Sequence, residues 1–197
     1  MKPELFYPIN PYIVNQVWGV SRPEIYSSFG FTQHNGVDIR VGADATVRGE
    51  LPCEAYSTGW QPTGGGLYLT VLSKHAHTFS DGKVCHILID YLHLKEIKKN
   101  PGQDYNIEVG EIIAIPNNTG FSTGPHTHIQ YRRVYKTPTG LIDVDTNEAN
   151  GSFDPEPYRN GQYADEYRKA QIAGLQKSLD TARSILLDLL AKLKWHS

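Results

Sequence analysis

The feature that most constrains this chain is a series of short apolar runs, each bounded by turn formers and none separated by a helical period. Leu67-Tyr68-Leu69-Thr70-Val71-Leu72, Val84 to Leu92, Ile112-Ile113-Ala114-Ile115 and Thr127 to Tyr135 are divided by Gly, Asn, Asp and Pro, the pattern of strands joined by tight connections. No βαβ alternation intervenes, so the fold class is mainly β with an antiparallel sheet. In the second run Cys85, Ile87, Ile89 and Tyr91 share one face, which leads to His93 and holds that imidazole at its mouth. The 18 Gly, 12 Pro and 12 Tyr suit a strand-and-loop domain, with the Tyr side chains read as strand packing rather than as a sugar-stacking platform.

At 197 residues the chain is long enough for one domain with a full core and a short appendage. Pro3, Pro8, Pro11 and Pro23 break residues 1–33 into short pieces. Composition changes after Asp154-Pro155-Glu156-Pro157, a stiff stretch, which divides the chain into a β-rich domain over 1–160, with an N-terminal extension at 1–19, and a helix over 161–197. In that helix Ile172, Leu175, Leu179, Ala182, Leu186, Leu189 and Leu193 alternate spacings of three and four, an a/d seam. The seam predicts a coiled coil, through self-association or a partner helix over residues 172–193, or else a helix laying its stripe on the domain itself.

A formal net charge of −2 without dense Lys/Arg runs argues against a nucleic-acid partner. No segment approaches a membrane span, and residues 1–8 contain no apolar run of signal-peptide length. Localisation is left open. Cys53 and Cys85 have no C-x-x-C spacing and are poor metal ligands, and the sequence leaves open whether they pair.

The chemistry is concentrated in Pro125-His126-Thr127-His128. On a strand an H-x-H pair places both imidazoles on one face, and these follow a loop of turn formers, Asn118 to Pro125, that delivers the strand at a fixed angle. Upstream, His34-Asn35-Gly36-Val37-Asp38 offers a further imidazole and a carboxylate on an extended or turning segment, since Gly36 and Val37 argue against a helical turn. Two imidazoles and a carboxylate complete a three-ligand zinc site with a position left for water, the catalytic pattern rather than the closed structural one. The rival pair His75-Ala76-His77 is predicted near the tip of a hairpin turning at Asp81-Gly82, where histidines are solvated. His86 falls on the polar face of its strand, and His196 is expected to be exposed on the terminal helix.

Three blocks, His34-Asn35-Gly36-Val37-Asp38-Ile39, Tyr91-Leu92-His93-Leu94 and Asn118 to His128, resemble in order and spacing the signatures of the lysostaphin-type zinc endopeptidases, which cleave peptidoglycan cross-links. Gly64-Gly65-Gly66 resembles that family's glycine-rich connection. The resemblance covers roughly residues 20–158 and implies a duplicated-hybrid-motif-like fold. It implies that His34, Asp38 and His128 hold one Zn2+ while His93 and His126 stay unligated and act on the substrate, with Gly64, Gly65, Gly66 and Tyr26 at the substrate groove.

This chain departs from the family at Gly110-Glu111-Ile112-Ile113-Ala114-Ile115-Pro116, where a Gly-x-x-Ile-Gly stretch is common, and at Ile129-Gln130, where an aromatic and a carboxylate are frequent. Both changes bear on groove shape and on support for the ligands rather than on the ligands themselves. No H-E-x-x-H is present, so His93 and His126 are the residues expected to move the proton and to stabilise the oxyanion. The expected function is a metalloendopeptidase acting on a peptidoglycan stem peptide or cross-bridge. The alternatives are a non-catalytic wall-binding or regulatory module of the same fold, and a virion or tail assembly component carrying a wall-degrading domain.

Overall fold

A computed structural model describes residues 1–102 and 105–194, with side chains throughout except at 188 and 191–194; the side chain of the predicted seam residue Leu193 and all of His196 lie outside the described residues. Along the chain come β1 (Leu5–Tyr7), β2 (Val14–Gln16), α1 (Pro23–Tyr26), β3 (Val37–Arg40), β4 (Val47–Arg48), β5 (Cys53–Gln61), β6 (Gly66–Ser73), β7 (His77–Thr78) and β8 (Val84–Ile97). Then follow β9 (Asn106–Ile107), β10 (Ile112–Pro116), β11 (His126–Thr137), β12 (Gly140–Asp143), β13 (Arg159–Tyr163) and α2 (Ala164–Lys194). The fold is mainly β, and the main sheet runs β2-β3-β11-β8-β6-β5-β9 with antiparallel neighbours throughout.

Strand alternation separates a core face from a cleft face. Ile87, Ile89 and Tyr91 of β8, Ile129 and Tyr131 of β11, Leu69 and Val71 of β6, and Val37 and Ile39 of β3 are buried together in one hydrophobic cluster. Their alternates Thr70, Asp90, Leu92, His128, Gln130 and Arg132 line a cleft on the opposite face.

The alternation in β8 breaks at His93. Leu69 pairs with Tyr91 but Leu67 pairs with Leu94, so β8 carries an extra residue there, a bulge that re-aims a side chain. His93 adopts φ = 60°, a left-handed conformation that costs a non-glycine residue free energy. The bulge corrects the predicted continuity of the Cys85–Tyr91 face: Leu94 returns to the core, and His93 lines the cleft beside Leu92. It also lets β8 continue to Ile97, beyond the predicted run.

The ends of the domain reach further than composition suggests. β1 pairs in parallel with β13, so the boundary drawn at 160 falls within a strand, and Leu5 and Ile9 of the N-terminal extension belong to the core. Beneath the sheet lies a buried ion pair, Arg159 with Glu50. Tyr91 and Tyr131 each donate to Glu50 at 2.8 Å, and Arg159 donates to the Tyr131 hydroxyl at 2.7 Å and to the Phe6 carbonyl at 2.9 Å. Burial raises both tyrosine pKa values well above the usual phenol range, so these hydroxyls stay protonated donors. Among the described residues Cys53 and Cys85 are free and buried.

Two expectations are corrected. His77 is buried rather than solvated, because β7 pairs with β8 and places it opposite Cys85, although the chain does turn at Gly82, whose N–H donates to the Phe79 carbonyl. The α2 stripe does not lie on the domain. The helix is anchored at its start, where the Tyr167 ring sits 4.5 Å from Phe6 and Ala164 and Arg168 pack against Gly110. Further along, Ile172, Leu175, Leu179, Leu186 and Leu189 are 52–70% exposed. No other helix covers them among the described residues, so a coiled coil is not seen in the single chain. Also among the described residues, no helix is long and apolar enough to cross a membrane.

Glu50→Ala leaves Arg159 as an uncompensated buried cation and is expected to cost about 3–5 kcal/mol. Urea unfolding should show the midpoint falling at unchanged slope. The double replacement Glu50→Leu with Arg159→Met should recover part of that loss.

Candidate metal centre and cleft

β3 and β11 bring the chemistry together through their register. Asp38 pairs with His128 and Arg40 with His126 across the two strands, and since Val37 and Ile39 point into the core, Asp38 points out of it. His34 lies in the segment before β3, its backbone N–H donating to the Val20 carbonyl at 2.9 Å. Its Nδ1 lies 2.9 Å from the Val17 carbonyl. That contact fixes the proton on Nδ1 and leaves the Nε2 lone pair facing Asp38 and His128.

The three donor atoms form a small triangle. His34 Nε2 lies 3.1 Å from His128 Nδ1 and 3.2 Å from Asp38 Oδ1, and His128 Nδ1 lies 2.9 Å from the same oxygen. Ligand atoms held tetrahedrally at zinc distances stand about 3.3 Å apart, so the triangle fits a small divalent cation with little adjustment. Two imidazole nitrogens and one carboxylate oxygen are also the donor set that zinc takes. Burial disfavours the Asp38 carboxylate, but contact with the His128 and His34 imidazoles outweighs it and holds the pKa well below the usual carboxylate range. Gly36 makes this closeness feasible, since a Cβ there would sit 2.5 Å from the Ile129 carbonyl oxygen and 2.6 Å from His128 Nε2.

His93 and His126 stand beside the triangle, their ring centroids 4.7 Å apart. His93 Nδ1 lies 2.7 Å from the Thr119 carbonyl and His126 Nδ1 2.8 Å from the Gly124 carbonyl, so each presents Nε2 as its free nitrogen. His126 Nε2 is 3.7 Å from Asp38 Oδ1. Burial pushes the His93 pKa down to about 4, against the opposing hydrogen bond to Thr119; the ring is neutral at neutral pH.

The backbone around His93 is interlocked. Its N–H donates to Gly65 at 2.7 Å and its carbonyl accepts from Asn117 at 3.0 Å, while Phe121 N–H donates to Gly64 at 2.7 Å. Gly66 and Gly120 face each other so closely that a Cβ on Gly120 would sit 2.2 Å from Gly66 N and one on Gly66 would sit 2.4 Å from the Thr119 carbonyl carbon. Gly66 therefore packs one loop against the other, while Gly64 and Gly65 line the cleft.

The fold recurs in known proteins. No family model matches the chain. Solved structures that share its fold include the catalytic domain of the antimicrobial peptidase lysostaphin from Staphylococcus simulans, at 23% identity over 76% of this chain and 92% of that one, with a TM-score of 0.53. The chain has the lysostaphin-type peptidase fold. A zinc-containing peptidase from Vibrio cholerae matches at 22% identity over 74% of this chain and 41% of that one, with a TM-score of 0.52. The catalytic domain of the prophage-encoded protein EnpA from Enterococcus faecalis, in a mutant form, matches at 17% identity over 80% and 96% of the two chains, also at 0.52. A curated relative from Haemophilus influenzae, described as an uncharacterized metalloprotease, is 30% identical over 124 residues, 63% of this chain. The chain spans 22% of that relative's length.

On this peptidase fold the cleft encloses about 500 Å³. Tyr26, of α1, lines it, with its ring 5.8 Å from that of His34 and its hydroxyl accepting from Gln16 Nε2 at 2.7 Å. Burial raises the Tyr26 pKa, so the hydroxyl remains protonated. Several cleft residues were not singled out from sequence. Asn35 donates to Gln130 at 3.0 Å, Thr70 donates to Asp90 at 2.6 Å, and Arg132 pairs with Asp90 at 3.0 Å; Phe29 and Phe121 meet at the rim, 5.6 Å apart. Gln130 stands in the sequence as a departure from the family, and Arg132 was within reach as the period-two continuation of His126 and His128.

His34→Ala, Asp38→Ala and His128→Ala are each expected to lose bound zinc in metal analysis of folded protein, whereas His126→Ala should retain one equivalent. Gly36→Ala should weaken zinc binding by about 10–100-fold, the size of effect typical of residues that orient ligands, because its methyl group meets a backbone oxygen that cannot move aside.

Proposed function

We propose that this chain is a zinc-dependent endopeptidase that hydrolyses peptide bonds of bacterial cell-wall peptidoglycan. The observation that carries the reading is the His34–Asp38–His128 triangle with the free Nε2 atoms of two further histidines beside it. The peptidase fold, the zinc named in the Vibrio cholerae structure and the metalloprotease description of the Haemophilus influenzae relative support it.

In this reading His34, Asp38 and His128 hold the ion, which when bound supplies Lewis-acid polarisation of a carbonyl and acidification of a water. The other tasks fall to the chain's own side chains. A substrate peptide lies in the cleft, its backbone passing close to Gly64 and Gly65, where no side chain stands in the way. His93 is neutral and has its Nδ1–H tied to Thr119, so its Nε2 is suited to accept a proton. His126, with Nδ1 tied to Gly124, is suited to the same work or, after taking a proton at Nε2, to stabilising the oxyanion with that N–H. The Tyr26 hydroxyl is a second donor toward the carbonyl, and Phe29 and Phe121 shield the reacting centre from bulk water.

Purified sacculi incubated with the protein should yield soluble fragments carrying new amino termini, and a chelator should stop their release. His126→Ala should lower the rate by at least about 100-fold while keeping its metal. Sacculi left intact by zinc-loaded protein, or release indifferent to the chelator, would sink the proposal.

A further inference from the structure

The exposed α2 stripe has no role in the chemistry above. Helices in folded proteins owe most of their stability to the packing of an apolar face. Past its first turns α2 has no such packing among the described residues, although it runs 31 residues and exposes Ile172, Leu175, Leu179, Leu186 and Leu189 along one line. We propose that α2 pairs in parallel with α2 of a second copy of this chain, forming a two-stranded coiled coil that sets two peptidase domains side by side at one end.

Three observations favour that occupant. The spacing is a strict alternation of three and four, with Ile172, Leu179 and Leu186 at a, and Leu175, Ala182 and Leu189 at d. An aligned copy meets this seam with itself, layer on layer, over about 26 Å; Ile172 at a with Leu175 at d is the combination that favours two strands, and no β-branched residue stands at d, as the combinations that favour higher order require.

The flanking positions fit a copy as well. In a parallel pair the g residue of one helix faces the following e residue of the other, giving Gln171 with Gln176, Ser178 with Arg183, and Ile185 with Leu190. None of these sets like charges together. The last brings together two apolar residues whose exposure, 56% and 46%, the seam alone does not explain.

The remaining face argues against a lipid surface. A helix lying on a membrane carries a polar face rich in Lys and Arg, whereas the outer positions here hold Ala173, Gly174, Lys177, Asp180, Thr181, Ser184 and Leu187. Leu187 is not explained by the pairing.

Sedimentation equilibrium of the full, zinc-loaded chain should return twice the 22.1 kDa chain mass. Leu179→Glu combined with Leu186→Glu should return a single chain with unchanged zinc content and unchanged unfolding of the β domain, since both residues are exposed in the single chain. Leu175→Cys should form an interchain disulfide under mild oxidation, because residue 175 meets its own counterpart only when the helices are parallel. A wild-type chain that sediments as a monomer or as more than two copies, a double variant that stays dimeric, or a Leu175→Cys protein that fails to cross-link would each overturn the proposal.

Discussion

The Glu50–Arg159 pair is the knot on which the geometry above it depends. A buried carboxylate and a buried guanidinium are tolerated only when nearly every donor and acceptor around them is used. Tyr91, Tyr131 and the Phe6 carbonyl do this. The two tyrosines belong to β8 and β11, the strands that also carry His93 and His128. Tyr91 precedes His93 by two residues and Tyr131 follows His128 by three. A single ionic contact thus fastens the N-terminal strand, the last strand and the two central strands from the core side, while the same central strands present their histidines on the cleft side.

From that fixed base, backbone carbonyls set the chemistry of the imidazoles. Val17, Thr119 and Gly124 take the Nδ1 protons of His34, His93 and His126 in turn. The carbonyls come from two loops, Val17 from one and Thr119 and Gly124 from the other, yet the result is the same tautomer with Nε2 free. For His34 the free nitrogen is part of the donor triangle; for His93 and His126 it stands beside that triangle. In the proposed reading, the difference between a ligand and a proton carrier is a matter of position rather than residue type.

Sequence reading reached the parts of this arrangement governed by local periodicity. His126 and His128 share a face because strands alternate, and the same rule identifies Ile87, Ile89 and Tyr91 as core. The four predicted strands are present within β6, β8, β10 and β11. What stayed hidden depends on distant chain segments meeting. Arg159 lies at the boundary drawn after the stiff Asp154–Pro157 stretch, where nothing local marks it as a core residue, and the parallel pairing of β1 with β13 brings it to Glu50. His93 reads as the next residue on an apolar face because a bulge leaves no signature in a run such as Tyr91-Leu92-His93-Leu94, where apolar residues flank the histidine on both sides. The strand at Cys53–Gln61 escaped because Glu54, Ser57, Thr58 and Gly59 dilute its apolar period, and Gly59 is needed there to admit the Tyr68 ring, 2.8 Å from where its Cβ would stand.

The bulge at His93 also limits how such a groove can diversify. Its imidazole and main chain are tied to both the Gly64–Gly66 loop and the Asn117–Phe121 loop, and those loops close on each other through glycines that tolerate no side chain. Grafting in a longer or bulkier version of either loop would therefore shift the His93 imidazole along with the wall. The groove is freer to drift at the aromatic rim, where the Phe29 and Phe121 rings meet and only the Phe121 main chain, through its N–H to Gly64, takes part in that linkage.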